Sequence, residues 1–497
     1  MPPIRDFIDT RPFESLVLAV LLALTASQVL RWIRSGLNGA LSHVPGPWYT
    51  RWTKMPADYY WITGHRPKYV LGLHQKFGPI VRVGPDEVDI ADLDGVKQIH
   101  RIGGGFVKTP FYQRLAVKGA RNLFNVTDVD YHTRHRRLLA APMTAAALAK
   151  SETMIREKVD LTVQRMGEEY NSRGCTDVAN WWLFMATDVI GELCFGDSFR
   201  MLEQGKENQY ISDLKTVGRI QGIIGISPWI MTVGNFLRLP MLRKMDQSFT
   251  RLQQYGSTSI ERYQRALQAD PVNTKPTVFT KLLNKAEEDG LHPHEIRDEA
   301  QGFIVAGSDT TANSLTWLVW LVCGHEHVRA ELLSSLHTLP EGYTDEHLRG
   351  LPYLAQVIEE TLRLYGAAPG ALPRTVPEGG LECGGYHIPP GSTVSTQAWT
   401  LHRDPNTFPN PLKFDPSRWS NSSKEMKAAF TAFGAGSRIC IGLHLARMEM
   451  RHATARFFLA YPNAKMSKME GMSDEDMEPL HFFLMFPRKK RCLMQLF

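Results

Sequence analysis

The chain has 497 residues, 43% hydrophobic and 22% charged, a balance that excludes wholesale disorder, a collagen-like repeat and a polytopic membrane protein. Lysine and arginine number 57 against 51 aspartates and glutamates, a net charge of +6. The excess is spread thinly, without the dense basic runs of a nucleic-acid binder, and leaves open a basic face for an acidic protein or an anionic membrane.

The first predicted element is the uncharged run from Ser15 to Leu30, which Phe13, Trp32 and Ile33 extend to about the 20 residues that a spanning helix needs. Arg31 and Arg34 close it, and the net acidic flank Arg5, Asp6, Asp9, Arg11, Glu14 argues against a cleaved signal peptide. Residues 1–34 are therefore expected to form a single N-terminal transmembrane helix, with everything after Arg31 on the cytosolic side. Pro45-Gly46-Pro47-Trp48 follows. Its prolines reject helix, and residues 35–48 are expected to act as a stiff hinge between membrane and body.

In the body, Ile80 to Ile90 alternates about Gly84-Pro85, a hairpin signal. Helical periodicity predicts helices over Asp130–Leu148, Ser151–Tyr170, Glu295–Val322, Tyr353–Tyr365 and Ile441–Tyr461, and a turn-rich extended stretch over Leu381–Ser395. The expected fold is mainly α with a minor β portion. No phosphate-binding G-x-x-x-x-G-K-[ST] loop occurs, and His402-Arg403-Asp404 imitates a kinase triplet without its companions. The histidine pairs His292/His294 and His325/His327 lack the spacing of a zinc helix.

Six cysteines, Cys175, Cys194, Cys323, Cys383, Cys440 and Cys492, lie far apart with no C-x-x-C pair, so neither a disulfide framework nor a zinc knuckle is indicated. Most are expected to be small buried hydrophobes. Cys440 is different. It opens a predicted helix behind two glycines in Phe433-Gly434-Ala435-Gly436-Ser437-Arg438-Ile439-Cys440-Ile441-Gly442. A helix N-terminus favours a thiolate, Arg438 adds charge, and a lone thiolate suits haem iron better than zinc.

This stretch resembles the F-x-x-G-x-R-x-C-x-G signature of the cytochrome P450 superfamily, the haem-thiolate monooxygenases, and further motifs follow in the family's order. Glu360-Thr361-Leu362-Arg363, with Arg418 in Phe414-Asp415-Pro416-Ser417-Arg418-Trp419, resembles the family's buried Glu–Arg–Arg network. Ala306-Gly307-Ser308-Asp309-Thr310-Thr311 resembles the helix that crosses the distal haem face. There the resemblance implies that Gly307 leaves room for oxygen and that Asp309 and Thr310 deliver protons.

The resemblance implies a cytochrome P450 fold over 49–497, carrying haem b with Cys440 as its iron ligand and Phe433, Gly434, Arg438 and Gly442 around it. His132 and Arg136 fall where relatives carry W-x-x-x-R, and Arg374 is a second propionate candidate. With no length left for a flavin domain, electrons are expected from a separate NADPH-cytochrome P450 reductase carrying FAD and FMN, docking near Arg438, Lys424 and Lys427. The expected reaction is insertion of one atom of O2 into a bulky lipophilic molecule of fungal secondary metabolism, a polyketide, terpenoid or alkaloid, at the endoplasmic reticulum membrane. Ile223–Met231, Gly366–Leu372 and Phe106–Leu123 are the expected substrate-facing segments. A haem-thiolate isomerase or dehydratase, and a haem-binding sensor without turnover, are the alternatives.

Overall fold

The computed structural model describes residues 12–115, 119–213, 216–217, 234, 236–270, 272–280, 283 and 292–497, and among the side chains of residues 12–22 only that of Val20. Its first helix, α1 (Pro12–Leu37), covers the apolar run. Among the described residues no helix is long and apolar enough to cross a membrane, so the expected transmembrane helix is not borne out. Thr25, Ser27, Gln28, Arg31 and Arg34 in its second half dilute the hydropathy that spanning requires.

The proline segment after α1 is bonded to the body through Arg82. Arg82, buried in strand β1 (Ile80–Gly84), donates to the carbonyls of Leu41 (2.7 Å), Ser42 (3.2 Å) and Val44 (2.9 Å) and to the Thr50 hydroxyl (3.1 Å). Its backbone N–H binds the Pro45 carbonyl at 2.7 Å. An irregular segment leaves carbonyls without partners, and a guanidinium with five donors can satisfy several at once.

Strand β2 (Glu87–Ile90) completes the predicted hairpin, pairing Ile80 with Ile90 and Gly84 with Glu87. Strand β3 (Val107–Lys108) precedes helix α2 (Val129–Ala140), which Asp128 caps by accepting from the amides of Asp130 and Tyr131. The helix predicted to reach Leu148 stops here. Pro142 breaks it, and short turns over Ala141–Met143 and Ala145–Leu148 continue the chain.

Helices α3 (Glu152–Arg173), α4 (Val178–Phe195) and α5 (Pro293–Gly324) build the core. α4 is apolar on nearly all sides and buried almost throughout, as expected of a central helix. It lies along α5, and Gly307 lets it in: a Cβ there would meet Ile190 at 2.8 Å. The space that Gly307 opens is therefore taken by Ile190, not left for oxygen.

Helix α6 (Pro352–Tyr365), strands β4 (Arg374–Thr375) and β5 (Thr393–Ser395), helix α7 (Leu443–Ala460) and the hairpin β6 (Pro479–Phe482) with β7 (Leu484–Pro487) follow. One five-stranded sheet runs β1-β2-β5-β4-β3, with β2 and β5 parallel and the other pairs antiparallel. The fold is mainly helical with small sheets, as expected. Ile223–Met231 and residues 116–118 of the Phe106–Leu123 stretch lie outside the described residues.

Candidate active site

The cysteine loop is built backwards from α7. That helix starts at Leu443, not at the predicted Ile441, so Cys440 sits on the chain just before it. The Cys440 amide donates to the Phe433 carbonyl at 2.9 Å, and the Gly434 amide to Thr431 at 2.8 Å. Gly434 and Gly436 both have positive φ, and a Cβ on Gly436 would lie 1.8 Å from the His100 carbonyl. Only glycine fits there. These glycines shape the loop, while the amides of Gly442 and Leu443 are the ones that point at the sulfur.

Burial pushes the Cys440 thiol up, against those two amides and Arg136, which pull it down. The expected depression by the helix end and Arg438 is therefore outweighed, and the cation acting on the sulfur is Arg136. Four of the other cysteines are buried and Cys323 partly so, all unpaired, whereas Cys440 is exposed. Gly436 wedges the loop against His100, and Cys440 remains open at its end.

Helix α5 carries the predicted Asp309 and Thr310. Ile304 and Ser308 are buried, yet Val305 between them is 42% exposed, with Ala306 exposed and Asp309 and Thr310 partly so. Three side-chain donors bond carbonyls one turn back here: Thr310 Oγ1 to Ala306 (2.7 Å), Asn313 Nδ2 to Asp309 (2.7 Å) and Ser314 Oγ to Thr310 (2.9 Å). Helix α7 is joined to this segment through Thr311 and Glu449. Sequence reasoning passed over Glu449, a buried carboxyl whose pKa burial raises to about 8 and which is therefore mostly uncharged at neutral pH.

The predicted cations converge. Arg374 and Lys108 stand directly opposite each other across the β3–β4 pair, both buried. Like charges in register destabilise a sheet. Arg438 and Arg136 lie close enough to push the Lys108 pKa further down, after burial. Their hydrogen bonds go to neutral oxygens: Arg374 Nη1 to the Tyr112 hydroxyl (3.0 Å) and the Pro373 and Leu372 carbonyls (2.9 and 3.4 Å), Arg136 to the Ile439 carbonyl (2.9 Å), Arg438 to the Val126 carbonyl (3.1 Å) and Lys108 to the Phe124 carbonyl.

Among the described residues none of the four has an acidic partner. Four clustered cations without a counter-ion fit an anionic group held beside Cys440. His132 lies in this cluster, buried and with its pKa lowered to about 3 by burial and then by Arg438; it is neutral. Arg438 faces inward and so leaves the docking face expected of it, whereas Lys424 and Lys427 are exposed. Lys108 was missed because it occupies a two-residue strand that no motif marks.

A buried network holds the loop from behind. Glu360 accepts from Arg363 Nε and Nη2 (both 2.8 Å), Arg418 Nε (2.9 Å), Trp419 Nε1 (2.9 Å) and the Asp415 amide (3.0 Å). His402 links it onward: its Nδ1–H donates to the Arg363 carbonyl (2.9 Å), and its Nε2 accepts from the Thr431 amide (3.0 Å) at the start of the cysteine loop. Both bonds need one neutral tautomer, and burial holds the His402 pKa down at about 3.

A base whose folded-state pKa is depressed contributes stability above its unfolded value near 6.5 and loses it as pH falls toward the folded value, by about 1.4 kcal/mol per unit. Thermal midpoints measured between pH 6.5 and 4 are expected to fall more steeply in the wild type than in His402→Gln. Equal slopes would count against the linkage.

The cytochrome P450 family model matches residues 45–493. The chain belongs to the cytochrome P450 family. Among similar proteins is the cytochrome P450 monooxygenase tazI of Aspergillus terreus, 43% identical over 480 residues, spanning 96% of this chain and 97% of that one. The cytochrome P450 monooxygenase stcB of Emericella nidulans is 36% identical over 484 residues, 95% of this chain and 92% of its own. The cytochrome P450 monooxygenase aflV of Aspergillus parasiticus is 35% identical over 504 residues, 98% of both. This P450 is an oxidoreductase of the monooxygenase class, whose members use haem iron, O2, a small-molecule substrate and a redox partner.

Proposed function

We propose that Cys440 would supply the thiolate that holds the iron of haem b and that Arg136, Arg374, Arg438 and Lys108 would take its two propionates, with neutral His132 beside them. The observation that carries this reading is the group of four cations, without an acidic partner among the described residues, next to an exposed cysteine. Bound haem supplies the activation of O2, which amino-acid side chains cannot provide. The protein supplies orientation, exclusion of water and protons. Asp309 receives protons from solvent and passes them to the Thr310 hydroxyl, which rotates away from the Ala306 carbonyl that it now binds at 2.7 Å.

The substrate is a bulky lipophilic intermediate of fungal polyketide, terpenoid or alkaloid biosynthesis, a reading supported by the fungal relatives. Electrons come from an NADPH-cytochrome P450 reductase carrying FAD and FMN, with exposed Lys424 and Lys427 in reach of an acidic partner. The protein works at the endoplasmic reticulum membrane with its catalytic body in the cytosol. Exposed Leu24, Leu30, Trp32 and Leu37 on α1, with exposed Trp48 and Met55, give it an apolar face for lipid.

The test is the carbon monoxide difference spectrum of the reduced protein in washed membranes. A strongly red-shifted Soret band in that fraction is expected. A band at the shorter wavelength of imidazole or protonated thiol would overturn the ligand assignment, and a band confined to the soluble fraction would overturn the membrane site. Thr310→Ala is expected to keep the band while product per NADPH falls about tenfold and hydrogen peroxide appears, less than the roughly hundredfold low end of acid–base contributions because water can stand in. Unchanged coupling would remove Thr310 from proton delivery.

A further inference from the structure

The triplet His402-Arg403-Asp404, which imitates a kinase motif in the chain, sends its three side chains different ways. Asp404 turns to the next loop, accepting from the Asn406 amide (3.2 Å) and the Thr407 hydroxyl (2.8 Å). Arg403 goes inward and is buried. Burial pushes its pKa down to about 9, so it is still a cation at neutral pH, and among the described residues no carboxylate pairs with it. A buried cation is costly unless something balances it.

The end of helix α6 provides the balance. That helix stops at Tyr365, and the carbonyls of its last turn have no partners within the helix. Two of them are capped by the triplet: the Arg363 carbonyl accepts from His402 Nδ1 (2.9 Å) and the Leu364 carbonyl from Arg403 Nη2 (2.6 Å). The negative end of the helix dipole stands in for the missing acid.

The rest of the guanidinium belongs to Trp399. Arg403 Cζ lies over the indole, 3.4 Å from the ring centroid, and Nη1 donates to the Trp399 carbonyl (3.3 Å). The Trp399 amide in turn donates to the Pro369 carbonyl (2.8 Å). One side chain thus bonds the chain just before the Gly366–Leu372 segment and, through Trp399, the middle of it. Further on, the Leu372 amide binds the Thr396 carbonyl (2.9 Å), and Arg374 enters β4 opposite Val394 of β5. An irregular segment has no ladder of its own, so such individual bonds decide its course.

We propose that Arg403 is a positioning residue of the haem site: it ties the end of α6 to Trp399 and so fixes the segment that leads to Arg374. This rests on the reading above, that Arg374 takes a haem propionate. Arginine suits the place because its planar fork bonds two carbonyls while it lies over a ring. A lysine keeps the charge at the helix end and loses the fork and the stack.

The test is a double-mutant cycle in the full-length, haem-loaded protein. Haem release is followed by transfer to excess apomyoglobin, and resonance Raman spectra read the bending mode of the propionates. Arg374→Gln is expected to speed release about tenfold, the low end for losing a hydrogen bond to a charged group, and to shift the propionate mode. Arg403→Lys is expected to produce most of both effects, and the double variant to release haem no faster than Arg374→Gln alone.

Trp399→Leu removes the ring but keeps the backbone bonds at 399, and the same lack of additivity with Arg374→Gln is expected of it, so an Arg403→Lys protein that does not fold leaves the question open to decision. Additive effects, or a lower melting point with release and propionate mode unchanged, overturn the positioning role and leave the haem-thiolate reading standing. Unchanged release and mode in Arg374→Gln overturn the propionate reading, and the role of Arg403 with it.

Discussion

Cys440→Ala is expected to remove the red-shifted carbon monoxide band of the reduced protein and to take oxygenation down to the background of the assay. The side chain does little for the fold. Cys440 is exposed in the protein alone, and its backbone amide, which does hold the loop through the Phe433 carbonyl, survives the substitution. Its sulfur is met only by the Gly442 and Leu443 amides, and substitutions of exposed side chains cost within about 0.5 kcal/mol, so the variant should melt close to the wild type.

The ligand is another matter. The cation cluster can still hold an anionic group, but no thiolate remains to bond the iron or push density onto it. Cys440→His separates the two effects: it offers a nitrogen ligand, and the band is expected at the shorter wavelength with oxygenation still lost. A red-shifted band retained in Cys440→Ala would mean that another group ligates the iron. The remaining cysteines are poor replacements, since Cys194 is raised above the usual thiol range by burial and Cys492 well above it.

Glu360→Gln carries the second large effect, on stability and not on chemistry. Glu360 is fully buried and accepts five hydrogen bonds, three of them from Arg363 and Arg418. The amide keeps the volume but loses the charge and replaces an acceptor with a donor. Arg363, also buried, is then left as an uncompensated charge, and breaking such a pair from one side costs about 3–5 kcal/mol. Against a whole-domain stability of about 5–15 kcal/mol, that is a large part.

The damage should also reach the cysteine loop, because Arg363 and His402 connect the network to Thr431. Denaturant midpoints and the carbon monoxide spectrum check both parts: a lower midpoint is expected, with part of the band moved to the shorter wavelength. A variant with unchanged midpoint and spectrum would show that the network does not support the loop. Replacing Glu360, Arg363 and Arg418 together by apolar residues is expected to be less harmful than Glu360→Gln alone, since no charge is left buried without a partner.

Much of this was open to a reader of the chain alone, because the relevant physics is local. The loop around Cys440 needs two positive-φ glycines within a few residues of a helix start, and Glu360 and Arg363 need only one helical turn between them. Long periodic helices such as Pro293–Gly324 and Glu152–Arg173 announce themselves because each must bury an apolar stripe. The bulk fold, the cysteine and the buried ion pair thus depended on near neighbours.

Tertiary structure decided what depends on residues far apart. Lys108 became part of the cation cluster only when β3 paired with β4 and set it against Arg374. Gly307 turned out to face Ile190, since which side of a helix a neighbour fills is a matter of packing. The segment before the prolines was tied to the body because Arg82 reached its carbonyls, and His402 became a link because its two nitrogens met Arg363 and Thr431. In each case the deciding partner lies at a sequence distance that periodicity and local propensity do not reach, and only the folded chain supplies it.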